Sequence, residues 1–500
     1  MPHSILDENT LENGYGIESK PLLQLETSEF TSTWHKKLLA VWKVIRPSIL
    51  TPQSPDHEVK SPRRTAYLDG MRGFAALIVY WGHHQLWARD VIGAGAILEN
   101  AWGYENRWYF ACLPGIRLLF SGGHLAVTIF FVISGYVLSA KPLSLIQSGD
   151  YSKLQDNIGS ALFRRWLRLF LPVICTTFIY MTSWHLFGIW TATPEHKNTY
   201  AEELWNYYIE FKNFSFVFRG GGNDWLTYNF HAWSIPVEFR GSIIIYTTLV
   251  ALSRCTCQAR LWCTFGLIFY FMYITDGAHY SMFLTGMLLC DFDLLAMEGN
   301  LPKFFQKLNP YKRAICHTLV VFGIYLGGVP SFKQDYEILQ NSPGWRTLSY
   351  FKPQAVFDYK WFYLYWASLF LVYAVPRVPS LHRFFESRFC QYLGRISFAF
   401  YLVHGPVLWT LGDRLYVAAG WSREIHGGAT PGWINLFPLS KAGPLGLELS
   451  FLLPHFIILP VTLWLAEIGT RLIDEPTYMK EKMSAFGSNS SIYECAQVRC

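Results

Sequence analysis

Long apolar segments follow one another along most of the chain, separated by short polar stretches. Windows of about 20 predominantly apolar residues are typical of helices that cross a bilayer. Such windows occur at 67–87, 123–140, 166–190, 234–253, 260–275, 280–297, 314–330, 361–376, 392–411 and 446–468. The pattern predicts an all-α polytopic membrane protein in which about ten transmembrane helices form one bundle.

The two ends of the chain differ from this apolar region. Residues 1–64 are mixed in charge and carry Pro, Ser, Thr and Asn, with a weakly amphipathic basic stretch at 34–50. We expect a partly disordered cytoplasmic tail over 1–64, a membrane domain over 65–478, and a second cytoplasmic tail over 479–500.

Composition agrees with a membrane setting and excludes several other classes. The chain is 51% hydrophobic and only 16% charged, which leaves too few charges to cover a surface that faces water. The formal net charge of +6 comes without any long basic run, so a nucleic-acid partner is not expected. Ten cysteines are scattered without a CxxC pair, which argues against a disulfide framework and against a structural metal site.

The distribution of Lys and Arg gives an orientation for the bundle. With the amino terminus in the cytoplasm, 27 basic residues fall on the cytoplasmic side and 13 on the opposite side, as the positive-inside rule requires. The sequon at Asn213 then lies on the far side, where it is a glycosylation candidate. We expect a multi-pass glycoprotein of the endoplasmic reticulum or plasma membrane.

Ionisable residues inside spans are the natural place to look for function, because a charge at the bilayer centre costs at least about 2.5 kcal/mol. In the first span Arg72 and His83 are eleven residues apart, which places them about 20° apart around a helix and about 16 Å apart along it. The two side chains could line one pocket. Alternatively, Arg72 could extend to the interface and His83 could be an interfacial histidine.

A cluster of arginines precedes the third span. Arg164, Arg165 and Arg168 share one helical face, and guanidinium groups can bind phosphate through two parallel hydrogen bonds. Arginines that merely set the topology would give the same pattern.

Two further groups of polar residues lie within apolar surroundings. Glu238 follows Trp233 at the start of the fourth span, where an acid should be paired or protonated; it could orient a histidine or pair with Arg240. Tyr401 and His404 share one face of the ninth span, where a buried structural histidine is the simpler interpretation.

Taken together, these elements resemble the acyltransferase 3 family of integral membrane acyltransferases, and the long first tail is similar to that of filamentous-fungal members. The family's Arg-x10-His signature matches Arg72 and His83. The other matching pieces, in chain order, are FFVISGYVLS, RRWLRL, HAWSIPVEF, GRISFAFYLVH and a terminal DEP that ends at Pro476.

The resemblance implies transfer of an acyl group, usually acetyl, from a coenzyme A thioester to a hydroxyl group. It implies that His83 is catalytic and that Arg72, Arg165 and Arg168 serve coenzyme binding or site architecture. Neutral imidazole can take the hydroxyl proton as that oxygen attacks the thioester. An acyl-histidine intermediate is the other route, and the residues leave both open.

A nearby carboxylate could fix the tautomer of His83, and Glu238 and Asp69 are the candidates. Acetyl-CoA would be a co-substrate, and no permanently bound cofactor or metal is expected. The acceptor could be a small natural product of terpenoid or polyketide type, as in secondary metabolism, or a carbohydrate. The alternative function is a transporter of a lipid or sugar precursor, which would also carry ionisable residues within its spans.

Overall fold

A computed structural model of the chain describes residues 46–47 and 63–475, with gaps at 219–224, 303 and 305–306. Most of the predicted first tail and all of the predicted tail after 478 lie outside the described residues. The residues that are described form helices and connecting turns, with no β-strand among them.

Eleven helices of 13 or more residues make up most of the described chain. They are α1 Ala66–Ala88, α2 Gly123–Gln147, α3 Tyr151–Phe187, α4 Tyr200–Ser215, α5 Ser234–Ala251, α6 Cys257–Phe269, α7 Ala278–Met297, α8 Lys312–Gly327, α9 Lys360–Ala374, α10 Arg388–Val407 and α11 His455–Gly469.

Shorter helical segments extend or connect these helices. A π-helical turn continues α6, α10 and α11, over Tyr270–Ile274, Leu408–Gly412 and Thr470–Asp474. A 3-10 segment, Thr227–Trp233, leads directly into α5. The remaining short α-helices include Ala94–Leu98, Leu118–Ser121, Tyr336–Asn341, Arg346–Ser349, Pro379–Phe385, Asp413–Ala418, His426–Ala429 and Leu449–Leu452, and the other 3-10 turns include Asp90–Ile92, Tyr104–Asn106, Phe110–Cys112, Asn309–Tyr311, Val375–Arg377 and Pro431–Trp433.

All ten predicted spans coincide with helices, whereas α4 corresponds to none of them. Within the described part of the chain, four helical stretches are long and apolar enough to cross a membrane: Gly123–Gln147, Tyr151–Phe187, Ala278–Met297 and Leu449–Asp474. The all-helical membrane architecture is therefore confirmed, while ten crossings remain a prediction.

The third predicted span begins too late. Its helix starts at Tyr151 rather than at 166 and continues through Pro172 to Phe187. Asp150 caps it by accepting a hydrogen bond from the backbone of Lys153, at 3.2 Å. Arg164, Arg165 and Arg168 therefore all lie inside one continuous helix.

Glycines allow the central helices to approach closely. A Cβ atom on Gly135 of α2 or on Gly286 of α7 would lie 2.0 Å from a backbone carbonyl oxygen of the facing helix. A Cβ atom on Gly73 of α1 would lie 2.2 Å from the backbone nitrogen of Gly394 on α10. Small residues at such crossings are how membrane helices gain packing contacts. These pairs bring α1 beside α10 and α2 beside α7.

Apolar side chains form two large cores. One is built mainly from α2, α7 and α9, and the other from α1, α3 and α10. Val127 belongs to the first core and Val79 to the second, and both line one small cavity. The predicted catalytic histidine lines that same cavity.

Candidate active site

Two histidines from parallel neighbouring helices meet near the ends of α1 and α10. Nδ1 of His83 lies 2.9 Å from Nε2 of His404, within hydrogen-bond distance. The backbone of Phe400 and Tyr401, one turn earlier on α10, interacts with the His404 ring. Backbone carbonyls only accept hydrogen bonds, and Nε2 of His404 is directed at His83, so we assign a proton to Nδ1 of His404.

A third histidine completes the cluster. His231 lies in the 3-10 segment before α5, and its ring stacks on His83 with centroids 3.7 Å apart and planes 12° apart. Asn229 anchors this segment by donating from Nδ2 to the Leu402 carbonyl of α10, at 2.9 Å. Gly405 leaves room, because a Cβ there would lie 3.0 Å from Nδ1 of His231. The sequence showed His231 beside Glu238 but gave no sign that it would stack on His83.

Nitrogen atoms of these three histidines all lie within 4.8 Å of one another, so the cluster is also the place to test for a metal site. Three imidazoles can hold zinc when their lone pairs converge on one point. Here the three ring planes are nearly parallel, within 12°, and two of the nitrogens share a hydrogen bond that requires a proton between them. This geometry fits a stacked, hydrogen-bonded cluster better than a set of metal ligands.

Tyr401 connects the cluster to α5. Its hydroxyl donates to the backbone carbonyl of His231 and accepts from the Ser234 hydroxyl at 2.8 Å. A cavity of about 60 Å³ lies against these groups, lined by His83, His231, Trp233 and Tyr401 together with His124. Such a volume has room for a few water-sized groups beside the His83 imidazole.

Glu238 pairs with an arginine rather than orienting a histidine. Arg165 of α3 forms an ion pair with Oε1 of Glu238 at 2.5 Å, and it also donates to Ser242 at 3.0 Å and to Ser134 at 2.8 Å. The pair lies one turn from Ser234 along α5. Arg165 is only 7% exposed, so its guanidinium joins α2, α3 and α5 in the protein interior. Arg240, the other candidate partner of Glu238, donates to the carbonyl of Val217, at 3.2 Å.

Arg72 is held by groups at the opposite end of the α1–α10 contact. It pairs with Asp69 at 3.2 Å and donates to the Ser397 hydroxyl at 3.0 Å and to the Gly394 carbonyl at 3.1 Å. Asp69 also pairs with Arg63 at 3.3 Å. Asp69 is therefore not the group that orients His83. Neither predicted carboxylate contacts that ring, because His404 occupies the position beside Nδ1.

The remaining arginines of the cluster lie on the outer part of α3. Arg164 donates to Ser160, one turn earlier, and is half-buried. Arg168 is also half-buried, one turn beyond Arg164. The structure thus separates Arg165, which points into the bundle, from its two neighbours.

A buried acid outside the predicted spans supports the segment that carries His231. Glu203 of α4 accepts from the Tyr228 hydroxyl at 2.5 Å, from the Lys197 backbone at 2.8 Å and from His185 at 3.2 Å. Burial alone would raise the pKa of Glu203, but these hydrogen bonds outweigh it and hold the pKa below its usual range. The ionised carboxylate fixes Tyr228 three residues before His231. Asn213, the glycosylation candidate, is exposed near the end of α4.

A histidine cluster at an internal cavity of an all-helical membrane protein is an arrangement suited to proton-transfer chemistry. Comparison with known proteins identifies the class of this protein. Residues 65–465 match the family model described as "Acyltransferase domain". The chain belongs to this acyltransferase family and is a transferase. No solved structure matches it significantly.

Three fungal proteins are similar to this chain over most of their length. The O-acetyltransferase PaAT-1 of Phomopsis amygdali is 30% identical, over 73% of this chain and 77% of its own. Acyltransferase R4 of a Phoma species is 23% identical over 74% and 87%, and acyltransferase clz18 of Cochliobolus lunatus is 23% identical over 72% and 86%. The resemblance drawn from the sequence motifs, including the fungal one, is confirmed.

Proposed function

We propose that the protein is a membrane-bound O-acyltransferase that moves an acetyl group from acetyl-CoA to a hydroxyl group. The acceptor is a small natural product of terpenoid or polyketide type, or a carbohydrate. The observation that carries the proposal is the 2.9 Å contact between His83 and His404 at the edge of a cavity. The similarity to PaAT-1, an O-acetyltransferase, favours an acetyl group as the group transferred and a hydroxyl oxygen as its acceptor.

The protonation of the histidine pair supports His83 as the general base. With a proton on Nδ1 of His404, its Nε2 is an acceptor, so His83 must donate from Nδ1. The lone pair of His83 Nε2 is then free for the acceptor's proton. His404 thereby has the role that was considered for a carboxylate, because it fixes the tautomer of His83.

The transfer itself balances as a direct transfer through a tetrahedral intermediate. The acceptor oxygen attacks the thioester carbonyl and gives its proton to Nε2 of His83. As the tetrahedral intermediate collapses, the carbon–sulfur bond breaks and the coenzyme thiolate takes that proton from the imidazolium. The products are an acetyl ester and free coenzyme A, and the histidine returns to its neutral form. Direct transfer needs no covalent enzyme intermediate.

We assign the arginines different parts in donor binding. Arg168 lies one turn from Arg164 on the outer part of α3, where a guanidinium can meet a phosphate of the coenzyme. We assign Arg165 and Arg72, which bind Glu238 and Asp69, to positioning of the helices around the site. The donor would reach the site from the cytoplasm, where acetyl-CoA is made.

Labelled acetyl-CoA gives the direct test of this function. Purified full-length protein is incubated with the donor and with panels of hydroxylated terpenoids, polyketides and glycosides. Release of coenzyme A together with a labelled ester is expected for at least one acceptor. Uptake of an acceptor into proteoliposomes without any acetylated product would favour transport instead.

A further inference from the structure

A second and larger cavity lies beside the one that contains His83. Its volume is about 310 Å³, at the lower end of the range for small-molecule sites. It is formed where α6 leads into α7, where the chain continues beyond α8, and where α9 begins. Its lining side chains include Asp276, His279, Gln334, Asp358 and Trp361.

Aromatic rings form the wall between the two cavities. The Trp361 ring of the outer cavity lies 5.8 Å from the Trp233 ring and 5.8 Å from the His124 ring, measured between centroids. Trp233 and His124 both line the inner cavity with His83. A molecule bound against Trp361 therefore lies next to the catalytic cavity, separated from it by side chains.

The charges of the residues that line this larger, outer cavity indicate whether it binds the donor or the acceptor. Its lining residues, all described by the structure, include two carboxylates and no Lys or Arg. Asp358 is balanced by Lys360, whose Nζ lies 2.8 Å from it, while Asp276 is exposed and accepts only a weak bond from the Phe357 backbone at 3.3 Å. Coenzyme A carries several negative phosphates, which the carboxylate of Asp276 would repel because no cation pairs with it among the described residues. The cavity suits the acceptor and not the donor.

The polar groups also indicate the chemistry of that acceptor. Ionised carboxylates can only accept hydrogen bonds, so they select ligands that donate them. The indole of Trp361 lines the cavity, with Nζ of Lys360 5.2 Å from its ring centre. The carbon–hydrogen face of a saturated ring can pack against an indole. A neutral ring with several hydroxyl groups satisfies both requirements, because it has donors at its edge and an apolar face.

From these observations, and resting on the proposed function, we propose that the outer cavity binds the acceptor through an uncharged, polyhydroxylated ring. The ring stacks on Trp361, its hydroxyls donate to Asp276 and Asp358, and a further hydroxyl extends past Trp233 toward His83. Trp361 and Asp276 are then specificity-determining residues for the acceptor.

The test uses purified full-length protein and follows release of coenzyme A from acetyl-CoA. Methyl glucoside and myo-inositol serve as polyhydroxylated probes, and cyclohexanol serves as a ring with one hydroxyl. We expect the first two to accelerate release more than cyclohexanol does. Asp276→Asn and Trp361→Ala should raise the KM for the better probe about tenfold, the effect of losing one strong contact. Trp361→Phe should restore most of the affinity.

Glu337→Gln provides the matched control, because Glu337 is an exposed acid on a neighbouring segment outside the cavity. Its KM values should equal those of the wild type. The proposal is overturned if cyclohexanol is the better acceptor, or if the cavity variants keep the wild-type KM for the polyhydroxylated probe. Failure of the proposed function looks different: coenzyme A release would then be absent with every probe, or unaffected by His83→Ala.

Discussion

His83 and His404 are 321 positions apart in the sequence, yet a ring nitrogen of one lies 2.9 Å from a ring nitrogen of the other. The contact exists because α1 packs along α10 at glycine positions, and because both histidines are near the same end of their helices. It makes His404 the partner that fixes the proton of the proposed general base. This contact, and the ion pair between Arg165 and Glu238, lead to the first predictions.

Replacing His404, the partner of His83, should slow acyl transfer without weakening the binding of acetyl-CoA. His404→Phe cannot accept from Nδ1 of His83, so the base can adopt the wrong tautomer. We expect kcat to fall about 10- to 100-fold, the value of one charged-group hydrogen bond, with little change in KM for acetyl-CoA. His404→Gln should recover part of the rate, because its amide oxygen can accept the same bond. Steady-state kinetics of both variants would check this, and equal kcat in wild type and His404→Phe would contradict it.

Loss of Arg165 should destabilise the protein. Its removal leaves Glu238, which is only 16% exposed, without its ion pair, which costs up to about 3–5 kcal/mol. Arg165→Met should therefore lower the midpoint of thermal unfolding in detergent, and Arg165→Met with Glu238→Gln should restore much of it. Lys153→Ala removes an exposed ion pair of the same helix and should have little effect. An unchanged midpoint in Arg165→Met would show that the pair does not form.

Donor binding should depend on Arg168. Arg168→Ala should weaken coenzyme A binding about tenfold, and Arg168→Lys should restore it only in part, since an ammonium cannot make a two-pronged contact with phosphate. Calorimetric titration with coenzyme A measures this directly. Arg313→Ala, at an exposed basic residue near the start of α8, is the control for a purely topological arginine. Equal affinities for coenzyme A in Arg168→Ala, Arg168→Lys and Arg313→Ala would show that Arg168 has a purely topological role.

Orientation can be tested by glycosylation. If the amino-terminal tail is cytoplasmic, Asn213 lies on the far side and should carry a glycan in intact cells. A gel shift that disappears with Asn213→Gln would show it. A sequon engineered near Ser54 should remain unmodified, and a glycan there would invert the orientation and place the donor path at the other end of the bundle.

Local patterns were sufficient for the helices and for several site residues. Apolar windows of about 20 residues located ten helices because burial in lipid requires such stretches, and the signature of Arg72 and His83 pointed to α1. Partners across the bundle could not be predicted in the same way. Glu238 was a candidate to orient a histidine, but it pairs with Arg165 of α3, which is 73 positions away in the sequence, so local spacing could not indicate the contact.

His231 illustrates a second limit. No helical periodicity applies to the 3-10 segment Thr227–Trp233, so its side-chain directions could not be derived from spacing. The stacking of His231 on His83 depends on Asn229 bonding to α10 and on the absence of a side chain at Gly405. Both are contacts between residues more than 170 positions apart.

The central claim is that His83 is the general base of acyl transfer, and the rate of acetyl transfer by His83→Ala tests it most directly. The account predicts a fall of about 100- to 10,000-fold in kcat, with normal expression and membrane insertion. His84→Ala is the matched control: His84 lies next in the chain but bonds Tyr416 at 2.7 Å, so its loss should affect stability more than chemistry. Full activity in His83→Ala would contradict the account.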